Sequence, residues 1–395
     1  MNPHLDQLQP YPFEKLRQLF AGIAPIKGLK PIRLSIGEPQ HATPQFIKDA
    51  LVAGLDGLAN YPTSAGSDGL RTAMADWITR RYGLPTLDAA TQVLPVTGTR
   101  EALFAFAQCV VDGSRPGAKV LCPNPFYQIY EGAAYLAGAT PVFLNQVLEN
   151  GYAPDFLSVP ESVWRDVQLA YVCSPGNPTG QVLSLNDWRI LFELSDRYGF
   201  VIAADECYSE IYFEEDQPPL GGLEAAWKLG RRDFRNLVMF SSLSKRSNVP
   251  GLRSGFVAGD AEILRKFLLY RTYHGCAMNP AVQAASIAAW NDEAHVVENR
   301  RLYREKFAAV TPLVARHLEV SRPDAGFYLW ARTPISDTEF ARGLQAEYNV
   351  TVLPGSYLAR EADGVNPGAN FVRIALVAEL EECLEAARRI AEFCK

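Results

Sequence analysis

Short apolar runs alternate with amphipathic stretches through the middle of the chain. Val93-Leu94-Pro95-Val96 reads as a strand, and Glu101 to Val111 as the helix that follows it. Val120–Cys122, Val142–Leu144 and Val167–Val172 read as further strands. Val201–Ala204 follows a helical pattern from Asp187 to Tyr198, and Leu237–Phe240 and Gly255–Ala258 complete the series. Strands that are apolar throughout, separated by helices, predict a mainly parallel sheet covered on both faces, an α/β core.

The last third has a different pattern. Ala294 to Val314 reads as a long amphipathic helix, and Phe327–Trp330 and Phe371–Leu376 as strands. Leu380, Cys383, Leu384, Ala387, Ile390, Ala391 and Cys394 fall on one face at the helical period. This is an α+β pattern, and it predicts a second, smaller domain. The expected division is a large domain over 46–279 and a small domain formed by both chain ends, 1–45 and 280–395.

Composition narrows the chemistry. The 395 residues carry 38 Lys and Arg against 44 Asp and Glu, a formal charge of −6, which argues against a nucleic-acid or polybasic membrane partner. No apolar run approaches the ~18 residues of a membrane span, and the first ten residues lack the pattern of a signal peptide. The 7 cysteines are scattered without C-x-x-C spacing, as expected of reduced thiols in the cytoplasm. G-x-G-x-x-G, Walker A and G-x-S-x-G sequences are absent, and the 5 histidines have no zinc-like spacing, so no metal is expected.

Candidate chemistry gathers where strands end. Ser241-Ser242-Leu243-Ser244-Lys245 closes one strand, and Pro250-Gly251-Leu252-Arg253-Ser254-Gly255-Phe256 follows it. Hydroxyls, an arginine and glycines around one lysine suit a phosphate monoester. Val201-Ile202-Ala203-Ala204-Asp205-Glu206-Cys207-Tyr208 places an acid after four apolar residues. Ser174-Pro175-Gly176-Asn177-Pro178-Thr179-Gly180 is a turn-rich loop, and Thr97-Gly98-Thr99-Arg100-Glu101 runs from a strand into a helix whose first amides can hold an anion. In parallel α/β sheets, ligands sit beyond the carboxyl ends of the strands, where these four segments can converge.

In this order, together with Y-P-T-S-A-G and F-V-R-I-A-L, these segments resemble the class I/II aminotransferases of the fold-type I pyridoxal-phosphate superfamily. The resemblance runs from Gly37 to Arg373 and implies pyridoxal 5'-phosphate as cofactor, held in the large domain. It implies that Lys245 binds the cofactor covalently and shuttles the reacting proton, and that Asp205 pairs with its ring nitrogen. Asn177 and Tyr208 match the donors to the ring oxygen, and Tyr127 the aromatic stacked on the ring. The phosphate cup would be the amides of Gly98, Thr99 and Arg100, the hydroxyls of Ser242 and Ser244, and the charge of Arg253. Arg373 would fork the substrate α-carboxylate beside the Gly37 backbone, leaving the Arg100 side chain to solvent or substrate. Tyr61 matches a tyrosine that reaches the neighbouring subunit's phosphate, which implies a homodimer with shared sites.

The stretch from Leu8 to Arg17, with Ser35-Ile36-Gly37-Glu38-Pro39, resembles bacterial N-succinyldiaminopimelate aminotransferases of lysine biosynthesis. That implies exchange between L-glutamate and N-succinyl-2-amino-6-oxopimelate, giving N-succinyl-LL-2,6-diaminopimelate and 2-oxoglutarate. An aminotransferase for aspartate, aromatic or other amino acids is the alternative, followed by a pyridoxal-phosphate lyase. Gln40 and His41, beside Gly37, are candidates for the pocket lining.

Overall fold

The computed structural model describes residues 1–24 and 26–395. In chain order its strands are β1 (Ile32–Arg33), β2 (Val93–Val96), β3 (Lys119–Asn124), β4 (Thr140–Asn145), β5 (Val167–Cys173) and β6 (Val201–Asp205). They continue with β7 (Leu237–Ser242), β8 (Gly255–Gly259), β9 (Tyr328–Arg332), β10 (Val350–Thr351), β11 (Leu353–Pro354) and β12 (Phe371–Ala375). Seven of them form one sheet in the order β2-β8-β7-β6-β5-β3-β4. Only β8 runs against its neighbours there, so β2, β3, β5, β6 and β7 all end at the same edge.

Both faces of this sheet are buried, and the strand residues alternate between two cores. Leu121, Ala170, Val172, Ile202, Ala204 and Met239 join one core. Val120, Leu169, Tyr171, Ala203, Val238 and Phe240 join the other. This double burial is why the strands are apolar without alternation. The helices between them are closed by ordinary signals. Ser184 and Asp187 form a reciprocal capping box at the start of Leu185–Tyr198, and Gly199 ends that helix at φ 79°.

A second, antiparallel sheet in the order β11-β12-β9, and a parallel β1–β10 pair, make up the smaller α+β body. The helices Ala294–Val314, Asp337–Tyr348 and Leu380–Phe393 pack on it. Ile32 and Leu34 from the N-terminal segment sit in the same core as Val310, Leu344, Val372 and Ile390. The helix Pro280–Asn291 lies elsewhere. It packs on the helices Gln45–Ala53 and Asp68–Tyr82, and its Trp290 ring is 4.8 Å from Trp77 and 5.1 Å from Phe256. A break near Pro280 therefore falls one helix early, because Ala285, Ala289 and Trp290 complete the core of the large sheet. We place the boundary near Asp292.

Candidate active site

The common edge of the parallel strands opens onto a cavity of about 390 Å³. Thr99, Arg100 and Glu101 reach it from the end of β2, Tyr127 from β3 and Asn177 from β5. Asp205, Cys207 and Tyr208 come from β6, Ser242, Ser244 and Lys245 from β7, and Arg253 from just before β8. The small domain adds Tyr328 and Arg373, and the N-terminal segment adds Tyr11, Pro12, Phe13 and Gly37.

Lys245 lies in the single helical turn after β7, and its Nζ donates to the Gly37 carbonyl oxygen at 2.5 Å. Burial holds its amine down to about 8, the Arg373 and Arg253 guanidiniums add to that, and Glu38 opposes it. Asp205 is 4% exposed. Its Oδ2 accepts from the Tyr130 hydroxyl at 2.6 Å, and its Oδ1 from the Cys207 amide at 3.2 Å. Burial raises its pKa, while those hydrogen bonds and the Lys245 charge pull it back.

Arg373 is buried on β12, the central strand of the small sheet. Nη1 donates to Asn177 Oδ1 at 2.9 Å and Nη2 to the Ser35 carbonyl at 2.8 Å, and the guanidinium stands 4.3 Å from the Tyr328 ring centre. Its Nε has no partner, and among the described residues no carboxylate pairs with it. A buried guanidinium without a counter-ion is costly unless an anion arrives. Tyr208 exchanges a hydrogen bond with Tyr328 between hydroxyls 2.9 Å apart.

Gly98, at φ 97°, caps the helix Thr99–Val110 without a side-chain cap. Its positive φ favours glycine, and a Cβ there would also meet the end of the Arg253 side chain, Nη2, at 2.2 Å. Ser242 Oγ donates to Ser244 Oγ at 2.9 Å and accepts from the Ser244 amide at 3.1 Å. The Arg100 side chain turns to the cavity mouth, where its Nε donates to the Tyr127 hydroxyl at 2.7 Å.

Four expected positions are absent from the cavity lining: Gly98, which stands just before Thr99, and Tyr61, Gln40 and His41. Tyr61 has a fully exposed side chain and lines no part of it. His41 is also absent from the lining: it is buried between Asn299 and Lys306, with ring nitrogens 2.8 Å and 2.6 Å from them, and Gln40 is exposed. The extended chain beyond Gly37 turns His41 toward the helix Ala294–Val314. Sequence reasoning did not find Tyr130, Tyr328 or Glu101. Tyr130 and Tyr328 sit inside apolar patterns that read as core, and Glu101 reads as a first-turn residue of its helix.

A lysine, a carboxylate and hydroxyls on the carboxyl edge of such a sheet, faced by a free arginine from a second domain, define a fold-type I transferase. The chain belongs to the class I and II aminotransferases, whose family model matches residues 30–390. Members of that family depend on pyridoxal phosphate. A solved aminotransferase from Neisseria meningitidis is 52% identical over 100% of both chains, with a TM-score of 0.97. An LL-diaminopimelate aminotransferase from Nitratidesulfovibrio vulgaris is 32% identical over 98% of each chain. A solved structure from Thermus thermophilus, named a probable N-succinyldiaminopimelate aminotransferase, is 28% identical, covering 97% of this chain and 100% of that one, with a TM-score of 0.85.

Proposed function

We propose that this aminotransferase uses pyridoxal phosphate to move an amino group between L-glutamate and N-succinyl-2-amino-6-oxopimelate, giving N-succinyl-LL-2,6-diaminopimelate and 2-oxoglutarate. The observation that carries the transfer chemistry is the convergence of Lys245, Asp205 and Arg373 on one cavity. The residues fit the cofactor. Lys245 supplies an amine that is readily neutral, and Asp205 a buried carboxylate for a ring N–H. Ser242, Ser244, Arg253 and the uncapped helix start at Gly98 form a cradle for a phosphate.

When bound, the cofactor supplies the electron sink that makes the substrate α-proton removable. The other roles belong to the chain. Lys245 Nζ takes the α-proton and returns it on the far side of the transfer, a general acid–base role open to an amine near neutrality. Asp205, buried and held by Tyr130, would offer its carboxylate to the ring nitrogen and so favour the protonated ring. Arg373 grips the α-carboxylate with its free edge, and Asn177 and Ser35 fix its plane. Tyr208 and Asn177 would hold the ring oxygen, and Tyr127 would stack on the ring; all three line the cavity. Glutamate and the oxo acid use the site in turn, a ping-pong order.

We further propose a homodimer in which Tyr61 completes the partner's phosphate cup. Its exposed ring, with Leu55 and Leu58 exposed nearby in sequence, favours burial by a second copy. The 7 unpaired cysteines accord with a reducing, cytoplasmic setting.

The Thermus neighbour's name supports the succinylated substrate, and the Nitratidesulfovibrio relative's name supports a second reading, free LL-diaminopimelate. The holoenzyme with 2-oxoglutarate should form glutamate from N-succinyl-LL-2,6-diaminopimelate with kcat/KM at least ~10-fold above that for LL-diaminopimelate, a margin within reach of contacts to one added group. The reverse ratio establishes the second reading, and a preference for aromatic amino acids rejects both.

A further inference from the structure

We infer that Asn299 is a positioning residue for Lys245, and that His41 and Lys306 aim its amide. The hydrogen-bonded chain Lys306–His41–Asn299 ends on the main-chain carbonyl of the lysine itself. The inference rests on the transamination reading only for the task given to Lys245.

Lys245 sits in a single helical turn, Leu243–Arg246, and the chain leaves that turn at once through Asn248, at φ 53°. No backbone amide among the described residues bonds the Lys245 carbonyl. A carbonyl at a helix end needs a partner from elsewhere. The long helix Ala294–Val314 supplies one: Asn299 Nδ2 donates to this oxygen at 3.2 Å.

Which end of the Asn299 amide faces the lysine depends on what holds the other end. Its Oδ1 lies 2.8 Å from His41 Nδ1 and accepts from Asn248 Nδ2 at 3.1 Å. His41 Nε2 is 2.6 Å from Lys306 Nζ. An ammonium can only donate, so Nε2 accepts and the ring proton sits on Nδ1, where it donates to Asn299. The other hydrogen bond of Lys306, to the Val377 carbonyl, is longer at 3.4 Å. Lys306, His41 and Asn299 are all buried, so water does not compete for these bonds. Each donor therefore fixes the orientation of the next group, and the last one fixes the lysine.

The surroundings of the turn agree. The extended segment 37–41 holds the lysine twice, through the Gly37 carbonyl that receives Nζ and through His41. The residues after Lys245 are tied to the same helix start. Arg246 Nη2 donates to Glu293 Oε1 at 2.5 Å and to the Asp292 carbonyl at 3.1 Å, and Ser247 Oγ is 2.8 Å from His295 Nε2. The domain boundary lies near Asp292, so the small domain grips the turn that carries the reacting amine.

The test uses Asn299→Leu, which keeps the size of the side chain and removes both polar ends. In the apoprotein, acylation and peptide mapping across a pH series should show the half-point of Lys245 labelling rise from about 8. A rise of about half a pH unit or more is expected, because an untied turn lets the amine out toward solvent. In the holoenzyme, the single-turnover reaction with glutamate should slow about 10- to 100-fold while the glutamate dissociation constant changes less than about threefold. The isotope effect with α-deuterated glutamate should rise, since a displaced amine takes the proton more slowly. His41→Ala and Lys306→Met should move every readout the same way by less, and neither should add to Asn299→Leu, because both act through Asn299. Asn299→Ser, too short to bridge both partners, carries the same expectations if Asn299→Leu does not fold.

An unchanged half-point with an unchanged single-turnover rate overturns the assignment. So does a slower rate with weaker glutamate binding and an unchanged isotope effect, the mark of a general loosening. Additive losses overturn the part given to His41 and Lys306. If wild type transaminates no amino acid, the functional reading fails separately, and the apoprotein half-point still decides the role of Asn299.

Discussion

Arg253 and Glu101 form a two-pronged ion pair, with Nη2 at 2.6 Å and Nε at 3.3 Å from the two carboxylate oxygens. The pair sits at the cup proposed for the phosphate, and a carboxylate there competes with a dianion for the same guanidinium. Both side chains are partly exposed, so solvent screens the interaction and limits it to about 1 kcal/mol. Glu101→Gln apoprotein should therefore bind pyridoxal phosphate and inorganic phosphate about two- to fivefold more tightly, as read by fluorescence titration. Weaker binding of both would show instead that Glu101 holds Arg253 in position.

Lys245 should be the fastest-labelled lysine in the apoprotein just above neutrality. Its amine is held near 8 first by burial and then by Arg373 and Arg253, against an ordinary value of 10.5. Peptide mapping after acylation across a pH series should place its half-point near 8. Arg373→Gln removes a nearby positive charge and should move that half-point up. A half-point close to 10 in the wild type would refute the neutral-amine role. Lys245→Ala should still bind cofactor but lose at least ~10²-fold in half-reaction rate, the lower range for removal of a general base.

The large sheet is legible because double burial writes itself as apolar runs, and the strand ends are legible because the chemistry follows them directly. Asp205 and Lys245 can thus be placed on one edge from sequence order alone. The helix Pro280–Asn291 escapes assignment to the large domain because an alanine-rich helix that starts with proline after a loop looks like the opening of a new domain. Its partner is Trp77, more than two hundred residues earlier. His41 fails for a related reason: closeness in sequence to Gly37 does not carry over when an extended chain sends successive residues to different neighbours. The aim of Arg100 depends on Tyr11 and Tyr127, two contacts that no local pattern contains.

Two buried groups should give stability slopes of opposite sign. Glu206 accepts from Tyr82 at 2.7 Å and from the Gly222 amide at 2.7 Å, and burial pushes it up to about 7 from 4.5. The folded chain holds that proton longer than the unfolded one, so its contribution is full below about 4.5, declines as pH climbs to about 7 and is flat above. The span corresponds to about 3 kcal/mol. His41 has the reverse sign. Burial and the Lys306 charge lower its pKa from 6.5, so its contribution is present above 6.5 and is lost as pH falls through the folded value. Urea titrations at pH 5, 6, 7 and 8 should show Glu206→Gln losing less stability between pH 5 and 7 than wild type. His41→Gln should lose less than wild type on the acid side. Parallel profiles for wild type and both variants would contradict these assignments.

Gly37 is held to glycine by Tyr328. A Cβ at position 37 would lie 1.8 Å from the Tyr328 hydroxyl oxygen and 2.8 Å from Cζ. Gly37→Ala must therefore push Tyr328 away, which separates it from the Tyr208 hydroxyl and tilts the ring that faces Arg373. It also displaces the carbonyl that receives Lys245 Nζ. Overpacking of this kind costs about 1–3 kcal/mol. The expected result is a lower melting temperature and a kcat/KM for glutamate reduced about tenfold or more, since a small misplacement at a reacting centre is amplified in rate. Adding Tyr328→Phe removes the worst contact but leaves Cζ close, so the double variant should regain part of both losses. This non-additivity is expected of two side chains in direct contact. If the two substitutions simply add, Tyr328 is not what excludes a side chain at position 37.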